Sequence, residues 1–300
     1  LTNINIPLFG YFSFLRERSF LKKGENTLPC RQDSGTFGGM GEHFDWTEWL
    51  DALLWTPAPW TRAGIHQLLT GGGDRLYEIA RADRFLRRLE QEKLLTRQGR
   101  AAAATFTVTA SGRERVATLN PDTEWNRPWD GQWRVVTFDL PETRRRDRKK
   151  LWQALRVNRF GLLQRSVWVR PHDVEPLLRK IIEVEGVPEC FCGFLARQLF
   201  LCTDSEVVQT AWDFREVAKR QRAYLEHPTA TFKNIAAARD LATLFAVARA
   251  ERIAYTHAFV FDPLLPRVLW SAGYLGPRVA QQHTAFRAQL RARAAELTTA

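Results

Sequence analysis

The run Trp133-Arg134-Val135-Val136-Thr137-Phe138-Asp139-Leu140 constrains the fold more than any other stretch, because its apolar and β-branched residues read as a strand bound for a core. The segments downstream of it set the topology. Thr143–Asn158 is basic and helical, with Leu151, Trp152 and Leu155 as its apolar side. Leu162–Arg170 reads as a strand, Val174–Val184 as a helix, and Glu189–Cys202 as one or two strands. This alternation suits a small ferredoxin-like sheet with helices on one face.

Upstream, the period changes from two to about 3.6. Asp45–Trp55 is helical and is closed by Pro57 and Pro59. Thr61 is placed to cap a second helix running to Leu69, which stops at Gly71-Gly72-Gly73. A third helix is expected from about Asp74 to Leu95, then the turn Thr96-Arg97-Gln98-Gly99-Arg100, the strand Thr105–Thr109 and a closing helix over Ser111–Leu119. Three helices followed by a hairpin is the order of a winged helix.

On the third helix Ile79, Ala82, Leu86 and Leu89 share one side, and Tyr77, Arg81, Arg84 and Arg88 share the opposite one. A helix that docks by the first stripe presents the second outward. In a helix-turn-helix that outward face lies in the major groove, where Arg bonds guanine edges or phosphates. Arg97 and Arg100 on the wing are placed to reach the backbone. Arginines on a solvated helix face are also ordinary surface; the flanking elements and the charge balance favour the DNA reading.

That balance is a net +11. Ten basic residues face two acidic ones between Glu142 and Arg170, and ten face five between Arg75 and Arg115. Polyanionic partners are therefore favoured. An apolar fraction of 45% with eleven tryptophans provides real cores and excludes a disordered chain.

Cys30, Cys190, Cys192 and Cys202 form no C-x-x-C pair and read as buried free thiols. The six histidines show no metal spacing, and neither a phosphate-loop signature nor a nucleophile elbow is present, so no cofactor and no metal is expected. No apolar run has the length of a membrane span, and Ile4–Leu15 is followed rather than preceded by Arg16 and Arg18. The expectation is a cytoplasmic protein. Met40, the single methionine, precedes the first periodic segment, so the biological start is expected there or residues 1–44 form a flexible arm.

Glu206–Leu225, Ile235–Ile253 and Gly276–Leu297 read as helices, the last two separated by Phe261-Asp262-Pro263-Leu264-Leu265-Pro266. The chain is thus expected to be α+β and multidomain: a winged helix-turn-helix (45–120) after an N-terminal extension (1–44), a linker (121–131), a ferredoxin-like central domain (132–205) and a helical C-terminal domain (206–300).

Four stretches together resemble the PaaX-like repressors of phenylacetic acid catabolism. These are Phe85-Leu86-Arg87-Arg88-Leu89 with Thr107–Gly112, then Trp129-Asp130-Gly131-Gln132-Trp133 through Glu142, then Phe160-Gly161-Leu162-Leu163 with Ser166–Pro171, and Asp262-Pro263-Leu264-Leu265-Pro266. The resemblance implies a winged-helix N-terminus, a central dimerisation domain like the small CRISPR-associated spacer-integration nuclease, and a helical C-terminal effector or dimer domain. It also implies a homodimeric repressor on a double-stranded DNA operator, released by an aryl-acyl-CoA. Tyr274-Leu275-Gly276 departs from the family's Trp-Pro-Gly.

Two rival readings remain at this level. Asp139 ends the first central strand where the similar nuclease carries a metal-binding acid, so a metal-dependent phosphodiesterase is the alternative. Against it, Asp139 equally suits a turn cap. Arg144, Arg145 and Arg146 could hold the phosphates of an acyl-CoA, make a second DNA contact, or line a solvated helix face.

Overall fold

The computed structural model describes residues 50–55, 59–70, 76–100, 103–117, 121–186 and 191–299. The expectations for residues 1–44, and the start of the helix expected from Asp45, lie outside these residues.

The N-terminal unit opens with a helical turn carrying Leu50 and Ala52 into the core, then β1 (Trp60–Thr61) and α1 (Arg62–Thr70). The Thr61 hydroxyl accepts from the Gly64 amide at 3.0 Å, so the expected cap is made. Next come α2 (Leu76–Gln91), β2 (Leu95–Gln98), β3 (Thr105–Val108) and α3 (Ala110–Ala117). The α2 helix ends four residues before the periodicity suggests, because Lys93 turns with φ 57° and Leu95 already belongs to the hairpin. The sheet order is β1-β3-β2, all antiparallel.

The segment read as a linker contains a helical turn, α4 (Asp122–Trp125). Trp125 is buried at 2% exposure and packs edge-on against Trp270 and Tyr274, so this connection is pinned to the C-terminal helices.

The central unit comprises β4 (Trp133–Phe138), α5 (Arg145–Val157), β5 (Gly161–Gln164), β6 (Val167–Arg170), α6 (Glu175–Glu185) and β7 (Phe191–Ala196). Its strand order, β5-β6-β4-β7, is the ferredoxin-like one, with every pair antiparallel. The expected single strand over Leu162–Arg170 is a hairpin turning at Arg165-Ser166. One face of the sheet (Val136, Phe138, Trp168) packs on Leu151 and Leu155 of α5 and Ile181 of α6. The other face is covered too: Trp133 and Val169 meet Val207, Val208 and Ala211 of α7 (Asp204–Ala211), with Leu265 and Leu269. The expectation of helices on one face only is therefore too simple, because the C-terminal part supplies the second cover.

Beyond α7 the chain is helical: α8 (Phe214–Leu225), α9 (Pro228–Ala237), α10 (Leu241–Phe259) and α11 (Gly276–Thr299). Two expected helices are each split in two. Asp213 caps α8 by accepting from the amides of Arg215 and Glu216, and Asp240 caps α10 by accepting from Thr243. Cys192 and Cys202 are exposed, not buried as expected: Cys192 lies on the edge strand β7 and Cys202 in the irregular segment after it; Cys30 and Cys190 fall outside the described residues.

The N-terminal unit shares its core with the C-terminal helices. Leu50, Trp55, Ile65, Phe85 and Leu89 pack in one cluster with Ile235, Leu244, Phe245, Phe286 and Leu290. Arg287 donates to the Asp51 carboxylate, and Arg252 stands 3.9 Å from it.

His172, at the end of β6, is buried, and its Nε2 has no hydrogen-bond partner. Burial, with Arg127, Arg170 and Arg134 nearby, pushes its pKa down to about 4. The unfolded chain therefore takes up this proton near pH 6.5 and the folded chain only near 4, so stability falls as pH drops through that window. Denaturant unfolding at pH 7 and pH 4.5 should show up to about 3 kcal/mol more acid destabilisation in the wild type than in His172→Phe. Equal losses would contradict the burial of a neutral imidazole.

Candidate nucleic-acid interface

The α2 helix docks through Ala82, Phe85, Leu86 and Leu89, all 5% exposed or less. The geometry of a 3.6-residue turn then forces Arg84, Arg87 and Arg88 outward, and all three are exposed. Arg87 does not stand out in the sequence, because it sits on the flank of the expected ridge. The side chains of Tyr77, Ile79 and Arg81 lie outside the described set. Arg88 donates to Glu92 at 2.9 Å, an exposed i,i+4 pair. Such pairs are worth only about 0.3–0.5 kcal/mol, so a stronger anion can take the arginine.

Asp83 sits between α1 and α2. It accepts from Arg62 Nε at 3.1 Å and again from the same guanidinium, and it lies 3.0 Å from His66 Nε2. Burial works against the charged carboxylate, but the bonds from Arg62 and His66 win and hold its pKa below the usual value. The cluster fixes the crossing of the two helices and leaves Arg84, Arg87 and Arg88 as the outward charges. Sequence reasoning misses it: Arg62 and His66 lie one turn apart on α1, but nothing in the local pattern links them to Asp83, which they meet only when the helices cross.

The β2–β3 hairpin begins just after α2 ends, and it carries Arg97 and Arg100, both exposed. Gly99 turns it with φ 83°. Behind the hairpin the Thr109 hydroxyl donates to Lys93 O at 2.8 Å and accepts from the Gly112 amide at 3.0 Å. Gly112 seats α3 directly on the Leu94 carbonyl.

The other basic candidates differ. Arg144 is half-buried and donates to Asp147 at 2.9 Å and to the Gly186 carbonyl, which makes it a strut between α5 and α6. Arg148 bonds Glu142 and Leu140 O. Arg145 and Arg146 are exposed. Asp139 is exposed just past β4, and among the described residues no group of three His, Cys, Asp or Glu side chains could hold a metal ion.

The motif residues near the central sheet have structural work. Asp130 takes both Arg134 amino groups at 2.7 Å, and these bonds hold its pKa down to about 2. Gly131 turns the chain there with φ 73°, and Trp133 Nε1 donates to Asp204 at 2.7 Å. Arg159 reaches the carbonyls of Phe259 and Asp262. Three of the four diagnostic stretches therefore meet at the junction between the central unit and the C-terminal helices.

The βαββαβ sheet, with its β5-β6-β4-β7 order, makes this chain a ferredoxin-like, Cas2-like protein at its centre. More narrowly, residues 126–208 match the family model described as the PaaX protein central Cas2-like domain. Among solved structures, the uncharacterized protein Rv0674 from Mycobacterium tuberculosis is similar at 22% identity and a TM-score of 0.49, covering 83% of this chain and 96% of that one. No curated protein matches. No helix among the described residues is long and apolar enough to cross a membrane.

Proposed function

We propose that this chain is a cytoplasmic transcription repressor of a phenylacetate-type catabolic operon. Its N-terminal unit is a winged helix, it acts as a homodimer on double-stranded DNA, and an aryl-acyl-CoA releases it. The observation that carries the reading is the outward set Arg84, Arg87 and Arg88 on α2, a helix tied to α1 by the Asp83–Arg62–His66 cluster, beside a hairpin bearing Arg97 and Arg100. A helix N-terminal to a basic hairpin can enter the major groove while the hairpin meets the neighbouring backbone. The PaaX-like central domain supports a regulatory rather than catalytic role.

Selection from a random duplex pool should enrich one two-fold-symmetric site. Binding to it should weaken steeply with salt, because each neutralised phosphate contributes about −0.9 to the slope of log K against log salt. Enrichment of no sequence, together with a slope near zero, would contradict the proposal.

A further inference from the structure

A cavity of about 230 Å³ lies among α8, α9, α10 and α11. Its walls are mainly apolar, with Phe232, Val247, Ala254 and Phe286 prominent, and one carboxylate, Glu251, faces into it. Glu251 is only 6% exposed. It accepts from the Tyr224 hydroxyl and from His283 Nδ1 at 2.8 Å, both on Oε1. His283 is fixed in turn by stacking on Tyr255, ring centroids 3.8 Å apart. Burial and the Glu251 charge push the Tyr224 pKa far up, so that hydroxyl stays a donor.

We propose that this cavity seats the ring of the effector, and that Glu251 selects a ring bearing a hydroxyl group. The inference rests on the regulator reading for the word effector, but the site itself stands on its walls. Size fits one substituted ring, since an apolar cavity of about 150 Å³ already admits benzene. A whole coenzyme thioester is far too large, so the remainder of such a ligand leaves through the mouth, where Ala250 and His227 are exposed. Among the described residues no Lys or Arg lines the cavity, so a carboxylate or phosphate inside would face Glu251 without compensation. A hydroxyl donating to the carboxylate is the uncharged group that matches.

The location couples ligand to DNA. Phe286 lines the cavity and also belongs to the core shared with the N-terminal unit. On α10, Glu251 faces the cavity while its neighbour Arg252 faces Asp51 of that unit. A ring wedged against α10 and α11 therefore acts on the surface that orients α2.

The test compares p-cresol with toluene, which has the same ring and lacks the hydroxyl, by calorimetry on the full chain. A hydrogen bond to a charged group gives p-cresol roughly tenfold or more tighter binding. Ala250→Phe fills the mouth from an exposed helix position and should weaken both ligands, while Glu251→Gln should shrink the p-cresol preference. Equal binding of the two ligands, no binding of either, or wild-type binding by Ala250→Phe overturns the inference. Duplex binding is measured on the same samples. Failure to bind any duplex, with the p-cresol preference intact, removes the regulator reading and leaves the ring site standing.

Discussion

Replacing Asp262 with alanine should lower the unfolding free energy by about 3–5 kcal/mol, the largest single effect expected in this chain. The carboxylate is 1% exposed. It accepts from Gln221 Nε2 at 2.7 Å, from the Tyr274 hydroxyl at 2.7 Å and from the Leu264 amide at 2.8 Å. Alanine leaves those donors buried without an acceptor, which is costlier than never having had the bonds. Burial raises the Asp262 pKa despite these bonds. A raised carboxyl pKa means that the folded state holds the proton longer, so this stabilising contribution is present in acid and is lost as pH rises through the folded value. Asp262→Asn, which keeps the shape without the charge, should show a flatter pH profile than wild type as pH rises above the ordinary carboxylate range. Urea unfolding measures both; an alanine variant within about 1 kcal/mol of wild type would contradict the account.

Gly112→Val should be the next most damaging change. A Cβ at this position would stand 2.5 Å from the Leu94 carbonyl oxygen and 2.7 Å from Val108 Cγ1, both closer than real Cβ atoms approach. The backbone oxygen cannot yield as a flexible side chain would, so α3 must lift off the β2–β3 hairpin. Overpacking of this kind costs roughly 1–3 kcal/mol, and valine exceeds alanine at the site. The damage should be local. Hydrogen exchange should quicken across Leu95–Val108 while the central sheet keeps its protection. Unchanged exchange in the hairpin would show that the close approach is not needed.

The elements legible in the sequence are those whose signal is local. Strand β4 shows in its apolar run, the α2 ridge in its 3.6 period, and the α1 start in Thr61. The turn at Arg165-Ser166 escapes because it carries no Gly, Pro, Asn or Asp. The breaks before α8 and α10 fall at Asp213 and Asp240, whose capping role competes with an uninterrupted apolar periodicity on either side. Asp followed three residues later by Glu216 or Thr243 is the usable clue. The Asp83 cluster, the second cover on the sheet and the cavity around Glu251 are products of tertiary contact. Asp83 shares no helical spacing with Arg62 and His66, and positions 224, 251 and 283 share none with one another.

In the proposed complex α2, and not the basic start of α5, meets DNA. Fluorescence anisotropy on the selected duplex should therefore compare Arg84→Ala/Arg88→Ala with Arg145→Ala/Arg146→Ala, two pairs of exposed arginines that remove equal charge. The first pair should weaken binding by about 1–3 kcal/mol for each base-edge bond removed and should reduce discrimination against a scrambled duplex. The second pair should leave both affinity and discrimination near the wild-type values. The reverse pattern, with affinity reduced only in the α5 pair, would contradict the account and move the DNA-binding surface to the central unit.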